Sequence, residues 1–186
     1  MRRVIAFEQV SLDGYFVDEK GDMSWAHKQD PEWTAFAGSN AGGDGMLLFG
    51  RVTYEMMAGF WPTETARQSM PEVAEGMNRM PKVVFSRTLK DVSWASTTLV
   101  NGDPAAHVRR LKSEPGPGMA ILGSGSIVSQ LAQQGLIDEL QIVVNPIVLG
   151  KGRTLFEGVK GKIPLRLSQS RAFGNGNVVL YYQPLA

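Results

Sequence analysis

The sequence predicts a three-layer α/β fold: a mostly parallel central sheet with helices on both faces and an antiparallel C-terminal hairpin. Three observations carry this. Short apolar runs alternate with helix-like segments about four times, and then strands follow alone. The run Met46-Leu47-Leu48-Phe49 is apolar at every position, which suits a strand covered on both faces. Gly174-Asn175-Gly176-Asn177 separates two strand-like stretches, a hairpin signal.

The elements follow in order. Residues 3–10 carry a strand-like apolar stretch, and Ser11-Leu12-Asp13-Gly14 turns the chain into a polar loop reaching about Trp25. Asp30-Pro31-Glu32 has the form of a helix start: Asp as N-cap, Pro at the first helical position, an acid in the first turn. That helix is expected to end near Gly38, with Gly42 to Gly45 breaking the chain before the strand at 46–49. Gly50-Arg51-Val52-Thr53 opens a second helix to about Met57. Lys82 to Phe85 and Ser96 to Val100 are the next strands. Asp103-Pro104 repeats the cap signal, and Ala105, Val108 and Leu111 form one apolar face. Met119 to Leu122 is a strand, followed by Gly123-Ser124-Gly125 and a helix stopped at Gly135. Leu140 to Val148, Leu165 to Phe173 and Val178 to Tyr182 complete the strands.

Composition narrows the function classes. A chain of 186 residues suits one domain, 1–186, large enough to bury a core without disulfides or metals. Cys is absent, which removes thiol nucleophiles and Cys-ligated zinc or iron–sulfur sites and fits a reducing, cytoplasmic setting. Lys+Arg is 19 against Asp+Glu 18, so no basic excess invites nucleic acid or anionic lipid. Two His are too few for a multi-histidine metal site. No apolar run approaches a membrane span, and Glu8 and Asp13 interrupt the N-terminal stretch, which reads as a strand rather than a signal peptide.

In open α/β sheets, ligands bind beyond the carboxyl ends of the strands. Three such ends carry anion-binding chemistry. Gly123-Ser124-Gly125-Ser126-Ile127 joins a strand to a helix, so the backbone can approach a phosphate and the helix start offers free N–H donors. The same residues also make an ordinary tight turn. Gly50-Arg51-Val52-Thr53 is built alike, and its Arg opposes the helix dipole unless an anion sits there or the side chain is simply solvated. Ser86-Arg87-Thr88 ends the strand at 82–85 with a cation where a 2′-phosphate would be read. Together they point to one extended multi-phosphate ligand. Neither the strict G-x-G-x-x-G fingerprint nor a P-loop is present.

These residues, with Ser11-Leu12-Asp13-Gly14, Gly135-Leu136-Ile137-Asp138-Glu139-Leu140 and Pro146 to Gly152 followed by Leu155-Phe156, resemble the dihydrofolate-reductase-like superfamily. Within it the chain is most similar to the reductase domain of bifunctional riboflavin-biosynthesis enzymes, the RibD C-terminal domain, and to its stand-alone relatives. The resemblance spans almost the whole chain and implies a dihydrofolate-reductase-like fold. It implies NADPH held by Gly50, Arg51, Val52 and Thr53 at the pyrophosphate, by Ser86, Arg87 and Thr88 at the 2′-phosphate, and by Gly123 to Ile127 on a second phosphate loop. Asp13, Gly14 and Tyr15 would lie in a loop beside the nicotinamide. Two acids, Asp30 and Asp13, are the catalytic candidates. Asp30 follows Trp25 by five residues, as the proton donor does in true dihydrofolate reductases, yet it has an equally ordinary reading as a helix cap. Trp25, Lys151 and Arg153 are expected to contact substrate. The implied activity is reduction of a heterocyclic small molecule, as in 5-amino-6-(5-phosphoribosylamino)uracil reductase, by a homodimer. The alternatives are an NADPH-binding protein without turnover and a pterin or dihydrofolate reductase. The zinc-deaminase signature of the bifunctional enzymes does not occur in this sequence.

Overall fold

The computed structural model describes residues 1–27, 30–41 and 43–185, the side chains at 40 and 41 excepted. Its strands are β1 (Val4–Ser11), β2 (Tyr15–Val17), β3 (Met46–Gly50), β4 (Lys82–Phe85), β5 (Thr97–Val100), β6 (Met119–Leu122), β7 (Glu139–Asn145), β8 (Arg153–Thr154), β9 (Leu165–Ala172) and β10 (Val178–Pro184). Its helices are α1 (Pro31–Ala41), α2 (Arg51–Phe60), α3 (Glu64–Ser69), α4 (Pro71–Arg79), α5 (Pro104–Ser113) and α6 (Gly125–Gln133). Eight strands form one sheet in the order β5-β4-β3-β6-β1-β7-β10-β9, and β2 pairs with β8 apart from it. From β5 to β7 all pairings are parallel, and the β9–β10 hairpin closes the sheet antiparallel. This is the α/β fold that the alternation predicts.

Strand alternation divides the core between two layers. Leu48, Val83, Phe85 and Ile121 turn to the face covered by Val108 and Leu111 of α5 and by Val128 and Leu131 of α6. Leu47, Phe49 and Val84 turn to the other face, against Tyr54 of α2 and Met77 of α4. On that face Trp33 and Phe36 of α1 meet Phe7, Val143, Phe173 and Val179. Burying such a side chain contributes about 1.5–3 kcal/mol, which explains why the all-apolar runs are central strands. Among the buried charged residues, Lys82 is 1% exposed, and its ammonium donates to the carbonyls of Asn78, Met80 and Ala95 while lying 4.5 Å from the centre of the Trp94 ring.

The structure departs from the sequence reading in several places, among them the β2–β8 ribbon where a polar loop is expected and α2 running to Phe60 instead of about Met57. Residues 62–81 hold two helices where no element is expected; Thr63 caps α3 by accepting from the Ala66 N–H, and Pro71 starts α4. Helix α1 runs to Ala41 instead of Gly38, with Gly42 of the expected break outside the described residues. Strand β7 stops at Asn145, short of Val148, because the Ile147 N–H bonds back to the Asn145 carbonyl instead of a neighbouring strand. That strand lies inside the sheet between β1 and β10, and the edges of the sheet are β5 and β9. Among the described residues, no helix is long and apolar enough to cross a membrane, and no group of three or more His, Asp or Glu could hold a metal ion.

Candidate active site

A cleft of about 980 Å³ opens beyond the carboxyl ends of β1, β3, β4 and β6. Its position follows from strand lengths. Strand β6 ends at Leu122, opposite Phe7, while its neighbour β1 continues to Ser11. The last residues of β1 therefore have no partner on that side, and Phe7, Glu8 and Gln9 line the cleft.

Two helix starts form the facing wall. Strand β3 runs directly into α2 at Gly50–Arg51, and β6 runs into α6 through Gly123-Ser124-Gly125. Neither helix has a side-chain cap, so their first-turn N–H groups keep no side-chain acceptor. The two turns are tied together: the buried Gly50 N–H donates to Ser124 Oγ at 2.8 Å. Ser124 adopts φ 75°, a left-handed conformation that costs a non-glycine residue about 1–2 kcal/mol. Such strain persists where the surroundings over-determine it, typically at functional sites. Glycine is required beside it for two reasons. Gly123 has φ 70°, and a Cβ there would sit 3.2 Å from Thr53 Cγ2. A Cβ on Gly125 would lie 2.8 Å from Phe16 Cζ, so this glycine lets the Phe16 ring rest on the first turn of α6.

The structure places Gly50, Arg51, Val52, Thr53, Ser86, Arg87, Thr88, Gly123, Ser124, Gly125, Ser126, Ile127 and Arg153 together around this cleft. Arg51 makes an exposed pair with Glu55 at 2.8 Å, worth little in solvent. Arg87 has no ion-pair partner among the described residues. Ser86 Oγ accepts from the Thr88 and Leu89 N–H groups and so fixes the turn that carries Arg87.

The remaining expected residues lie outside the lining. Asp30 is a cap: its Oδ1 accepts from the Trp33 N–H at 2.8 Å, anchoring α1 against the Trp33–Phe173 pair. Asp13 is a clamp. Its carboxylate accepts from Ser11 Oγ and from the N–H groups of Leu149 and Gly150, at 2.6, 3.1 and 2.7 Å. The Ser11 hydrogen bond, with the backbone bonds behind it, lowers the Asp13 pKa to about 2, which keeps it an acceptor and no acid at neutral pH. Gly14 has φ 86° in the turn that Asp13 closes. Tyr15 pairs with Thr154 in the β2–β8 ribbon, and Trp25 donates its indole N–H to the Asp22 carbonyl. Lys151 is exposed on the same flap. The ribbon instead directs Phe16, Val17 and Arg153 to the cleft, with the Arg153 guanidinium 5.7 Å from the Phe16 ring.

Sequence reasoning missed the β1 wall. Val4, Ala6, Glu8 and Val10 alternate along one face of β1, and all four are buried. A carboxyl in a register otherwise filled by core residues is the signal that identifies Glu8. It is 2% exposed, and its Oε1 has no hydrogen-bond partner among the described residues. Burial alone raises its pKa well above the usual carboxylate range.

The profile of the RibD C-terminal domain family matches residues 2–179. Two uncharacterized Bacillus subtilis proteins, YyaP and YwjB, are each 28% identical to 97% of this chain, over 94% and 97% of their own lengths. A Shewanella sp. PV-4 protein named for riboflavin biosynthesis shares the fold at TM-score 0.75, with 23% identity and 99% of both chains covered. A pyrimidine reductase-like protein of Corynebacterium diphtheriae matches at TM-score 0.69 and 13% identity, over 100% of this chain and 92% of its own. A Thermotoga maritima diaminohydroxyphosphoribosylaminopyrimidine deaminase/5-amino-6-(5-phosphoribosylamino)uracil reductase matches at TM-score 0.70 and 14% identity, with 99% of this chain over 57% of that one. With the profile spanning nearly all of the sequence and the fold shared throughout, the chain belongs to the RibD C-terminal domain family.

Proposed function

We propose that the protein is an NADPH-dependent reductase of a heterocyclic small molecule. The observation that carries this is the pair of helix starts, α2 and α6, neither with a side-chain cap, tied by the Gly50–Ser124 hydrogen bond and opening on one cleft. Two positive dipole ends with free N–H groups suit the two phosphates of a dinucleotide. The cleft volume, about 980 Å³, lies at the upper end of what cofactor sites occupy. Gly50 and Gly123 leave the phosphate path free of side chains, and Arg51 adds charge at its edge. Arg87, held by the Ser86 turn, is suited to a 2′-phosphate.

Bound there, the cofactor would supply a hydride. The protein's own residues orient the two reactants and exclude water: Phe16 closes over α6, and the end of β1 forms the wall on which a planar substrate can rest. Arg153 is the second cation, placed for a substrate phosphate such as that of the phosphoribosylamino-pyrimidine named for the Thermotoga relative. A cytoplasmic setting fits the absence of cysteine. A second reading, dinucleotide binding without turnover, draws support from Asp13 and Asp30, since one is held ionised and the other caps a helix.

Titration of the purified protein with NADPH and NADH, followed by assay with the phosphoribosylamino-pyrimidine and with pterins, tests both readings. Arg87→Ala should weaken NADPH about 10- to 100-fold, the loss of one charge-assisted contact, and leave NADH nearly unchanged. Equal loss of both would remove Arg87 from the 2′-phosphate. Tight NADPH binding with no reduction of any of these substrates would favour the binding protein.

A further inference from the structure

We propose that Glu8 is the proton donor of this cleft: its carboxyl protonates the ring or imine nitrogen, or the carbonyl oxygen, of the substrate as the neighbouring carbon is reduced. This rests on the reductase reading and identifies the acid that reading requires.

Three observations place Glu8 in that role. It lies on β1 just past Phe7, the last residue paired with β6, so it stands at the cleft wall nearest the sheet centre. Its carboxyl is almost fully buried, with Oε1 unpartnered. An unpaired buried polar atom costs about 1–3 kcal/mol, so its presence among Val4, Ala6 and Val10 calls for a use. Finally, the other candidate acids are committed elsewhere: Asp13 to two backbone N–H groups and Ser11, Asp30 to the Trp33 N–H, and Asp103 to the Ala105 and Ala106 N–H groups.

The surroundings favour the protonated carboxyl over the carboxylate. Burial is the cause, and among the described residues no ion pair or hydrogen bond opposes it. On β7, which pairs with β1, Ile142 stands opposite Glu8, and the strand's charged residue, Glu139, pairs with Ile5. Strand β6 brings no titratable residue, and β2 brings Tyr15. The charged residues sharing the cleft are Arg51, Arg87, Asp103 and Arg153. Asp103 is engaged as the cap of α5.

The step balances. The Glu8 O–H bond breaks as the substrate N–H or O–H bond forms. The substrate carbon gains a hydride and its two electrons from the dihydronicotinamide, which is oxidised. The Glu8 carboxylate left behind regains its proton from solvent through the open mouth of the cleft. A protonated carboxyl is the form suited to this task, as for general acids whose pKa lies near or above the working pH.

Glu8→Gln, nearly isosteric, should leave the fold and NADPH binding intact and lower turnover about a hundred- to ten-thousandfold, the usual contribution of a general acid. Glu8→Asp keeps an acid with a shorter reach and should fall between the two. Infrared spectra of the cofactor-free protein give a readout independent of activity. The wild type should show the carbonyl stretch of a protonated carboxylic acid at neutral pH, absent from Glu8→Gln. A spectrum unchanged by the substitution, or wild-type turnover in folded Glu8→Gln, would overturn the role while leaving the reductase reading standing. A wild type that binds no NADPH would overturn both.

Discussion

On the β3–β6 side of the cleft, the ligand-facing groups are backbone N–H donors at two helix starts, each set by four or five consecutive residues. On the β1 side, the wall depends on a strand and a flap joined by contacts such as Asp13 to Gly150, 137 positions apart in the chain. The first wall is local chemistry repeated, and the second is a product of topology. A ligand-binding surface can therefore be half legible in the sequence and half dependent on which strands happen to be neighbours.

The largest effect on this contrast should come from Gly152→Ala. A Cβ there would lie 2.1 Å from the Val17 carbonyl oxygen, at φ 150°, so the β2–β8 ribbon must part. The strained backbone alone costs about 1–3 kcal/mol, with the clash in addition. Hydrogen exchange should show residues 15–17 and 149–154 losing protection while β3, β4 and β6 keep theirs; uniform loss would show that the two walls are one cooperative unit.

Ser124→Ala probes the opposite wall. It leaves the buried Gly50 N–H without its acceptor and should cost about 1–3 kcal/mol in urea denaturation, with NADPH binding weakened as the two turns uncouple. Unchanged stability would mean the turns are held by packing alone.

Two pH effects of opposite sign follow. Ionising Glu8 inside the fold is unfavourable, so its contribution is fully present below the ordinary carboxylate pKa of 4.5 and is lost as pH rises through its raised folded value. Glu8→Gln should abolish that loss with rising pH in denaturation curves measured across pH. Asp13 is shifted the other way, from 3.8 to about 2, so its contribution holds above pH 3.8 and disappears as pH falls toward 2. Asp13→Asn should loosen the flap at neutral pH and flatten that acid dependence. This is the smallest effect, since the carboxylate is solvent-exposed.

The fold was largely readable because runs such as Met46–Phe49 and Met119–Leu122 are apolar at every position and helices α1 and α5 are preceded by Asp and begin with Pro. Helices α3 and α4 were not, since residues 62–81 carry few apolar positions and start from a Thr cap and a Pro that read equally as loop. In the site, Gly50 to Thr53, Ser86 to Thr88 and Gly123 to Ile127 were found because glycines and hydroxyls at strand ends have a chemical meaning of their own. Glu8 was not, because its place at the cleft wall depends on β6 ending opposite Phe7, one position before it, and Phe7 and its partner Leu122 lie 115 positions apart (122 − 7), a relation that no local pattern contains.

Lys82 carries a consequence for chemical labelling. Burial lowers its pKa to about 8, which would make an exposed amine an unusually ready nucleophile. Yet the residue is 1% exposed, and its ammonium donates to three carbonyls beside the Trp94 ring. Acylating reagents should pass it over in the native protein and modify it once β4 separates from α4. A single lysine thus becomes a mass-spectrometric clock for the opening of the β4–β5 edge of the sheet.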